Sequence, residues 1–234
     1  MTVKIDTLFA NTNSHLGKDI LHFSKSTDSC TNATVLCNDV CKVKKGNYQF
    51  PSVRNYMQKN LDVSREDTFF DLLRMNFDIT KNVGEKRFRW HTSGDFEDET
   101  EFIETMKVFT DVDKDFLVYT KLPLNKHLMS FVPSNVTIRF SYDDTTPEEY
   151  VNAAKDLNVP LSYMDAFLDK KKAKHMAKHQ NGFVCTSNCT SCKFCWYSTK
   201  DVVFPMTYNG KKQLKRIHHY LNILNKKDEM VQLI

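Results

Sequence analysis
Apolar residues along the chain switch repeatedly between a two-residue and a 3.6-residue period, the signature of strands alternating with helices. Leu21-His22-Phe23-Ser24 reads as a short strand. From Pro51 to about Ile79 the period is helical: Val53, Tyr56 and Met57 recur first. Phe69, Leu72, Leu73 and Phe77 follow a helix cap expected at Ser64. Arg87-Phe88-Arg89-Trp90-His91-Thr92 alternates as a strand and runs into Ser93-Gly94-Asp95. Phe102, Ile103, Met106 and Phe109 then share one helical face. Phe116 to Thr120 and Val136 to Phe140 have the apolar character of buried strands. Pro147 stands at the first turn of a helix carrying Tyr150, Ala153, Ala154 and Leu157. Val159 to Tyr163 and Gly182-Phe183-Val184 are further short strands. Lys211 to Leu224 is an amphipathic helix with Leu214, Ile217, Leu221 and Leu224 in register.

Strands alternating with helices imply a parallel sheet built from right-handed crossovers. Five or six strands are too few to close an eight-stranded barrel, so an α/β fold with an incomplete parallel βα barrel is expected. The 234 residues suit one domain, residues 1–234, with no repeat or Ser/Pro-rich linker to divide them.

Composition narrows the class. With 41% hydrophobic and 26% charged residues the balance is that of a globular protein. No apolar run approaches the ~20 residues of a membrane span. The first residues lack the apolar core of a secretion signal, so a reducing cytoplasm is the expected location. The net charge of +4 is mild for a dedicated nucleic-acid binder. Local basic clusters at Lys170 to Lys174 and Lys211 to Arg216 read first as solvated faces.

The seven cysteines change the picture, because an odd number cannot form a complete disulfide framework and these are not scattered. Cys30, Cys37 and Cys41 follow the first strand. Cys185, Cys189, Cys192 and Cys195 follow Phe183-Val184. Both groups therefore fall at the C-terminal ends of expected strands, where βα barrels carry their active loops. Closely spaced thiolates with two-residue gaps suit a 4Fe–4S cluster, and all seven cysteines are candidate ligands for one cluster or two. Zinc at Cys185, Cys189, Cys192 and Cys195 is the alternative, since four thiolates also close a tetrahedral site. Three thiolates at Cys30, Cys37 and Cys41 leave one iron open to a substrate or cofactor.

Other motifs weigh less. Asp95 follows a glycine that lets the backbone approach a ligand, though a helix cap before Glu97 explains it equally. Tyr119, Lys121 and Trp90 are expected beside the same pocket, and His91 as a satisfied core or rim histidine. His175 and His179 have metal-binding spacing but lie among lysines. His218-His219 belongs to the surface of the last helix. Phosphate-loop and nucleophile-elbow motifs are lacking.

Cys30, Cys37 and Cys41, then Gly94-Asp95-Phe96, Tyr119-Thr120-Lys121, and Cys185 to Cys195 with Trp196, occur in the order found in phage-encoded "gene product 88" domain proteins. The chain resembles that family over roughly residues 16 to 207. It departs at Lys42-Val43, where the family carries Tyr-Ala. The resemblance implies a phage protein of iron–sulfur type in the host cytoplasm, and no particular reaction. The order cysteine loop, helix, strand, Gly-acidic motif is also similar to the start of a radical S-adenosylmethionine barrel. That likeness implies S-adenosylmethionine as a ligand held by Gly94, Asp95, Tyr119 and Lys121. A non-catalytic metal protein that binds nucleic acid or a host protein through Lys170 to Lys178 and the last helix is the alternative expectation.

Overall fold
A computed structural model describes residues 7–11, 13, 15–165, 174–175, 177–178 and 182–205. Seven strands form one open, wholly parallel sheet in the order β1-β2-β3-β4-β5-β7-β6. They are β1 (Leu21–Phe23), β2 (Arg87–Trp90), β3 (Asp115–Thr120), β4 (Val136–Tyr142), β5 (Leu161–Asp165), β6 (Phe183–Val184) and β7 (Val202–Pro205). The α/β class and parallel sheet agree with the sequence pattern. The strand Val202–Pro205 is an addition to it: its apolar run is only four residues and follows a cysteine-rich segment.

The helices are α1 (Val35–Val40), α2 (Pro51–Ser64), α3 (Phe69–Thr80), α4 (Glu99–Thr110), α5 (Lys126–Met129), α6 (Glu148–Asp156) and α7 (Phe194–Tyr197). Pro51 starts α2, where its missing N–H costs nothing. Ser64 does not cap the next helix as expected. It is the last residue of α2, and its hydroxyl donates back to Leu61 O. Asp98 caps α4 instead, its carboxylate accepting from Glu101 N at 2.8 Å. Among the described residues no helix is long and apolar enough to cross a membrane.

Strand alternation divides the side chains between two faces. Phe88 and Trp90 of β2, Phe116 and Val118 of β3, and Ile138 and Phe140 of β4 point to one face. There they pack against Phe69, Leu73 and Phe77 of α3 and Phe102, Met106 and Phe109 of α4. The rings interlock, with Phe109 stacked on Phe116 at 3.8 Å and Phe23 on Trp90 at 4.2 Å. Leu117 and Tyr119 point to the other face, where Leu16, Ile20, Trp196 and Val202 join them. The edge of β1 is covered by a short bridge in which Ala10 and His22 exchange backbone hydrogen bonds at 2.9 and 2.8 Å.

The crossovers from β1 to β5 advance along the sheet in one direction, which sends their helices to a single face. The step from β6 to β7 runs backwards, toward β5. The same right-handed rule then sends its connection to the opposite face. That connection is the segment Cys185 to Asp201.

Candidate metal centre
The second cysteine group is held on its face by arginines from the strands. Arg87 Nη1 donates to Cys189 O at 2.8 Å, and Nη2 to Thr190 O at 3.0 Å. Arg139 donates to Cys195 O at 3.0 Å, Lys200 O at 2.9 Å and Ser198 O at 2.6 Å. Trp196 seals the arrangement, its indole N–H donating to Asp115 O at 3.1 Å. Phe183 stacks on Phe194 at 4.3 Å, and Cys185, Cys189 and Cys195 pack among the apolar residues of this face. Arg87 and Arg139 thus fix the peptide backbone and leave the sulfurs to define the remaining side.

Those sulfurs sense one another. Burial raises the Cys185 thiol, the Ser187 N–H at 3.3 Å opposes that, and Cys195 adds to it. Burial also raises the Cys189 thiol, Arg89 counteracts it, and Cys185, Cys195 and Cys192 push it further. Tyr119 titrates well above the ordinary phenol range, first through burial and then through Cys195.

The first group follows β1. Thr34 caps α1, its hydroxyl accepting from Cys37 N at 3.1 Å and donating to Asp143 Oδ2 at 2.5 Å. The Cys30 thiol is pushed far above its usual range by burial, then by Asp95, Cys37 and Cys41. Cys37 is pushed up to about 11 by burial, against the pull of Lys121, with Cys41 adding to the rise. Asp95 acts on both Cys30 and Cys37, and Lys121 and Asp143 act on Cys37.

Gly94 and Asp95 lie where β2 ends. The Asp95 carboxylate accepts from Thr120 Oγ1 at 2.7 Å, Lys121 N at 2.7 Å and Phe96 N at 2.8 Å. It clasps the ends of β2 and β3 rather than capping α4. Lys121 does not point to solvent. It is buried, and its ammonium donates to Asp143 Oδ2 at 2.7 Å. Lys25, fully buried, pairs with Glu101 at 2.5 Å. A buried ion pair of this kind is costly to break, since either partner left alone is an uncompensated charge.

Lys42 links the two groups. Although Lys42 reaches solvent, the protein crowded around its ammonium and the charge of Arg89 lower its pKa, while Cys41, Cys185 and Cys189 raise it. All seven cysteines are free thiols. Among the described residues no three or more His, Cys, Asp or Glu side chains are arranged as they would be around a bound metal ion. The side chains gathered in the second group are thiols, and that of Cys185 takes the Ser187 backbone N–H at 3.3 Å.

Two expectations are corrected. Trp90 does not border this site. It faces the helix layer, fully buried, because Trp90 and Arg89 are consecutive on β2 and must point to opposite faces. His91 is buried but not satisfied: neither ring nitrogen has a partner, the nearest carboxylate oxygen being that of Asp95 at 4.0 Å. It adopts φ 59°, a left-handed conformation. Lys170, Lys171 and Lys172, His179, the basic cluster Lys211 to Arg216, His218-His219 and the expected last helix lie outside the described residues. A 230 Å3 groove lined by Val136, Leu157, Pro160, Trp196 and Tyr197 opens at the N-terminal ends of β4 and β5.

Arg87, Arg89, Arg139, Lys42 and Asp143 are site residues that pattern reading missed. The available signal was two arginines, Arg87 and Arg89, alternating with Phe88 and Trp90 along one strand. A family model described as Gene product 88 matches residues 7–198. No curated protein and no solved structure matches the chain.

Proposed function
The chain belongs to the Gene product 88 family, and from that premise we propose that it is a phage-encoded iron–sulfur protein. Cys185, Cys189, Cys192 and Cys195 hold a 4Fe–4S cluster. Cys30, Cys37 and Cys41 hold a second centre with one iron open. The observation that carries this reading is the cysteine segment Cys185 to Cys195, clamped on the sheet face by Arg87 and Arg139 through its carbonyls, with no disulfide among the seven cysteines. Thiols brought together with cations, and lacking disulfides, suit a cluster with net negative charge.

An open iron supplies a coordination position and one-electron chemistry. The chain's own residues supply the setting. The strands β1 to β5 follow each other in spatial order, as in an incomplete barrel of radical S-adenosylmethionine type, with Cys30 to Cys41 after β1 and Gly94-Asp95 after β2. S-adenosylmethionine is the ligand proposed for the open position. Gly94, Asp95, Tyr119 and Lys121 border it, and Lys121 with Asp143 fixes the charge beside Cys37.

Metal analysis of protein made with ample iron and purified without oxygen tests the reading. Iron with matching sulfide and a brown colour is expected. Zinc without iron overturns it in favour of a structural thiolate site. Cys189→Ser is expected to lower both metal content and melting temperature, because ligation free energy is folding free energy. An unchanged melting temperature counts against a structural cluster.

A further inference from the structure
Three arginines stand on the cysteine-bearing face, and their donors are spent differently. Arg87 serves backbone carbonyls of the cysteine segment and pairs with Glu85. Arg139 gives all three of its nitrogens to carbonyls. Arg89 gives only Nε, at 3.3 Å to His91 O. Among the described residues its two terminal nitrogens meet no acceptor, and no carboxylate lies within ion-pair distance. The guanidinium is held all the same, 3.9 Å from the centre of the Tyr119 ring.

A second unspent group lies beside it. His22 pairs with Arg89 in the β1–β2 register, so the two side chains share a face. His22 is 6% exposed, and its Nδ1 meets Ser24 Oγ at 3.2 Å while Nε2 has no partner. A buried ring nitrogen is costly to leave without a partner. Two neighbouring groups with donors to spare define what is lacking: an acceptor with negative charge.

We infer that Arg89 and His22 form a binding site for a small oxyanion, a carboxylate or a phosphoryl group. The guanidinium fork presents two parallel N–H groups that match two oxygens of such an anion. A neutral His22 whose Nδ1 accepts from Ser24 carries its proton on Nε2 and donates a further bond. Tyr119 floors the site and keeps the fork from turning away. The inference goes beyond the cluster reading and holds whichever metal the cysteines carry.

The test titrates the anaerobically purified full chain with inorganic phosphate and, separately, with malonate, against chloride at equal ionic strength. Calorimetry is expected to show one saturable site, and the nitrogen resonance of His22 Nε2 to shift with the same dissociation constant. Arg89→Gln is expected to weaken binding at least tenfold, and Arg89→Lys to fall between, since it keeps the charge and loses the fork. Tighter phosphate identifies a phosphoryl ligand, and tighter malonate a carboxylate. Absence of saturable binding by either anion overturns the site and leaves Arg89 as a counterion to thiolates. Equal affinity in Arg89→Gln does the same. Should that variant fail to fold, an unmoved His22 signal in the unaltered protein at high anion concentration overturns it.

Discussion

Arg139, in the middle of β4, donates from Nε to the carbonyl oxygen of Cys195 at 3.0 Å. This contact is one of those by which the strand arginines hold the cysteine-rich segment on the sheet face. Arg139 is fully buried, and among the described residues it meets no carboxylate. The carbonyl dipoles of Cys195, Ser198 and Lys200 are its solvation. Arg139→Ala is expected to destabilise the fold by about 3–5 kcal/mol, since it leaves buried carbonyls without donors. Urea denaturation measures this, and a loss below ~1 kcal/mol contradicts the clamp.

Gly94 makes a second contact that admits no larger residue. Its φ of 82° is left-handed, and an added Cβ would meet Ser29 Oγ at 2.7 Å and Lys25 Cβ at 2.8 Å. Gly94→Ala is expected to cost about 2–4 kcal/mol, combining backbone strain with a clash against the end of β1. A thermal melt within 2 °C of the parent, by the ~2–4 °C per kcal/mol of a chain this size, removes the case for that close approach.

Stability is expected to fall in mild acid because of His22. Burial and then the charge of Arg89 hold its pKa at about 4, against 6.5 for a free imidazole. The unfolded chain therefore binds the extra proton between those values, so stability rises as pH increases from about 4 to 6.5. The full penalty, roughly 3 kcal/mol, applies below that window and vanishes above it. His91, also depressed by burial, adds to the same slope. Denaturation midpoints across this range should flatten in His22→Gln. An identical slope in the variant refutes the assignment.

Iron counting separates the two cysteine groups. Cys30→Ser, Cys37→Ser and Cys41→Ser are each expected to remove about half of the bound iron and to abolish any spectral change with S-adenosylmethionine. The centre at Cys185 to Cys195 should persist. Complete iron loss in each of these variants would instead indicate one cluster shared between the groups.

Much of the architecture was legible in the sequence because it depends on local periodicity. Phe116 to Thr120, Val136 to Phe140 and the face of Phe102, Met106 and Phe109 each specify an element through side-chain spacing. The cysteine spacing and the order of motifs were equally readable, and the family match spans them. Periodicity separates the two sides of a strand but does not say which side meets the helices. Trp90 is therefore expected beside the cysteines, while Arg89, one residue earlier, is the side chain that stands there.

What the tertiary structure decided is the position of the cysteine segment. A strand of four residues, Val202–Pro205, pairs between β5 and β6. It reverses the direction of the last crossover and sends that connection to the face opposite the helices. Long-range pairing chose that register, and a short apolar run does not encode its partner. The clamps were hidden for a similar reason. Arg87 and Arg139 bind carbonyl oxygens, which every residue carries, so no side-chain type at Cys189, Thr190, Ser198 or Lys200 marks the acceptor. The sequence by itself determined the cysteine spacing and most of the elements. Only the three-dimensional packing determined that Arg87 and Arg139 clamp the cysteine segment, because that proximity arises from pairing between strands distant in sequence.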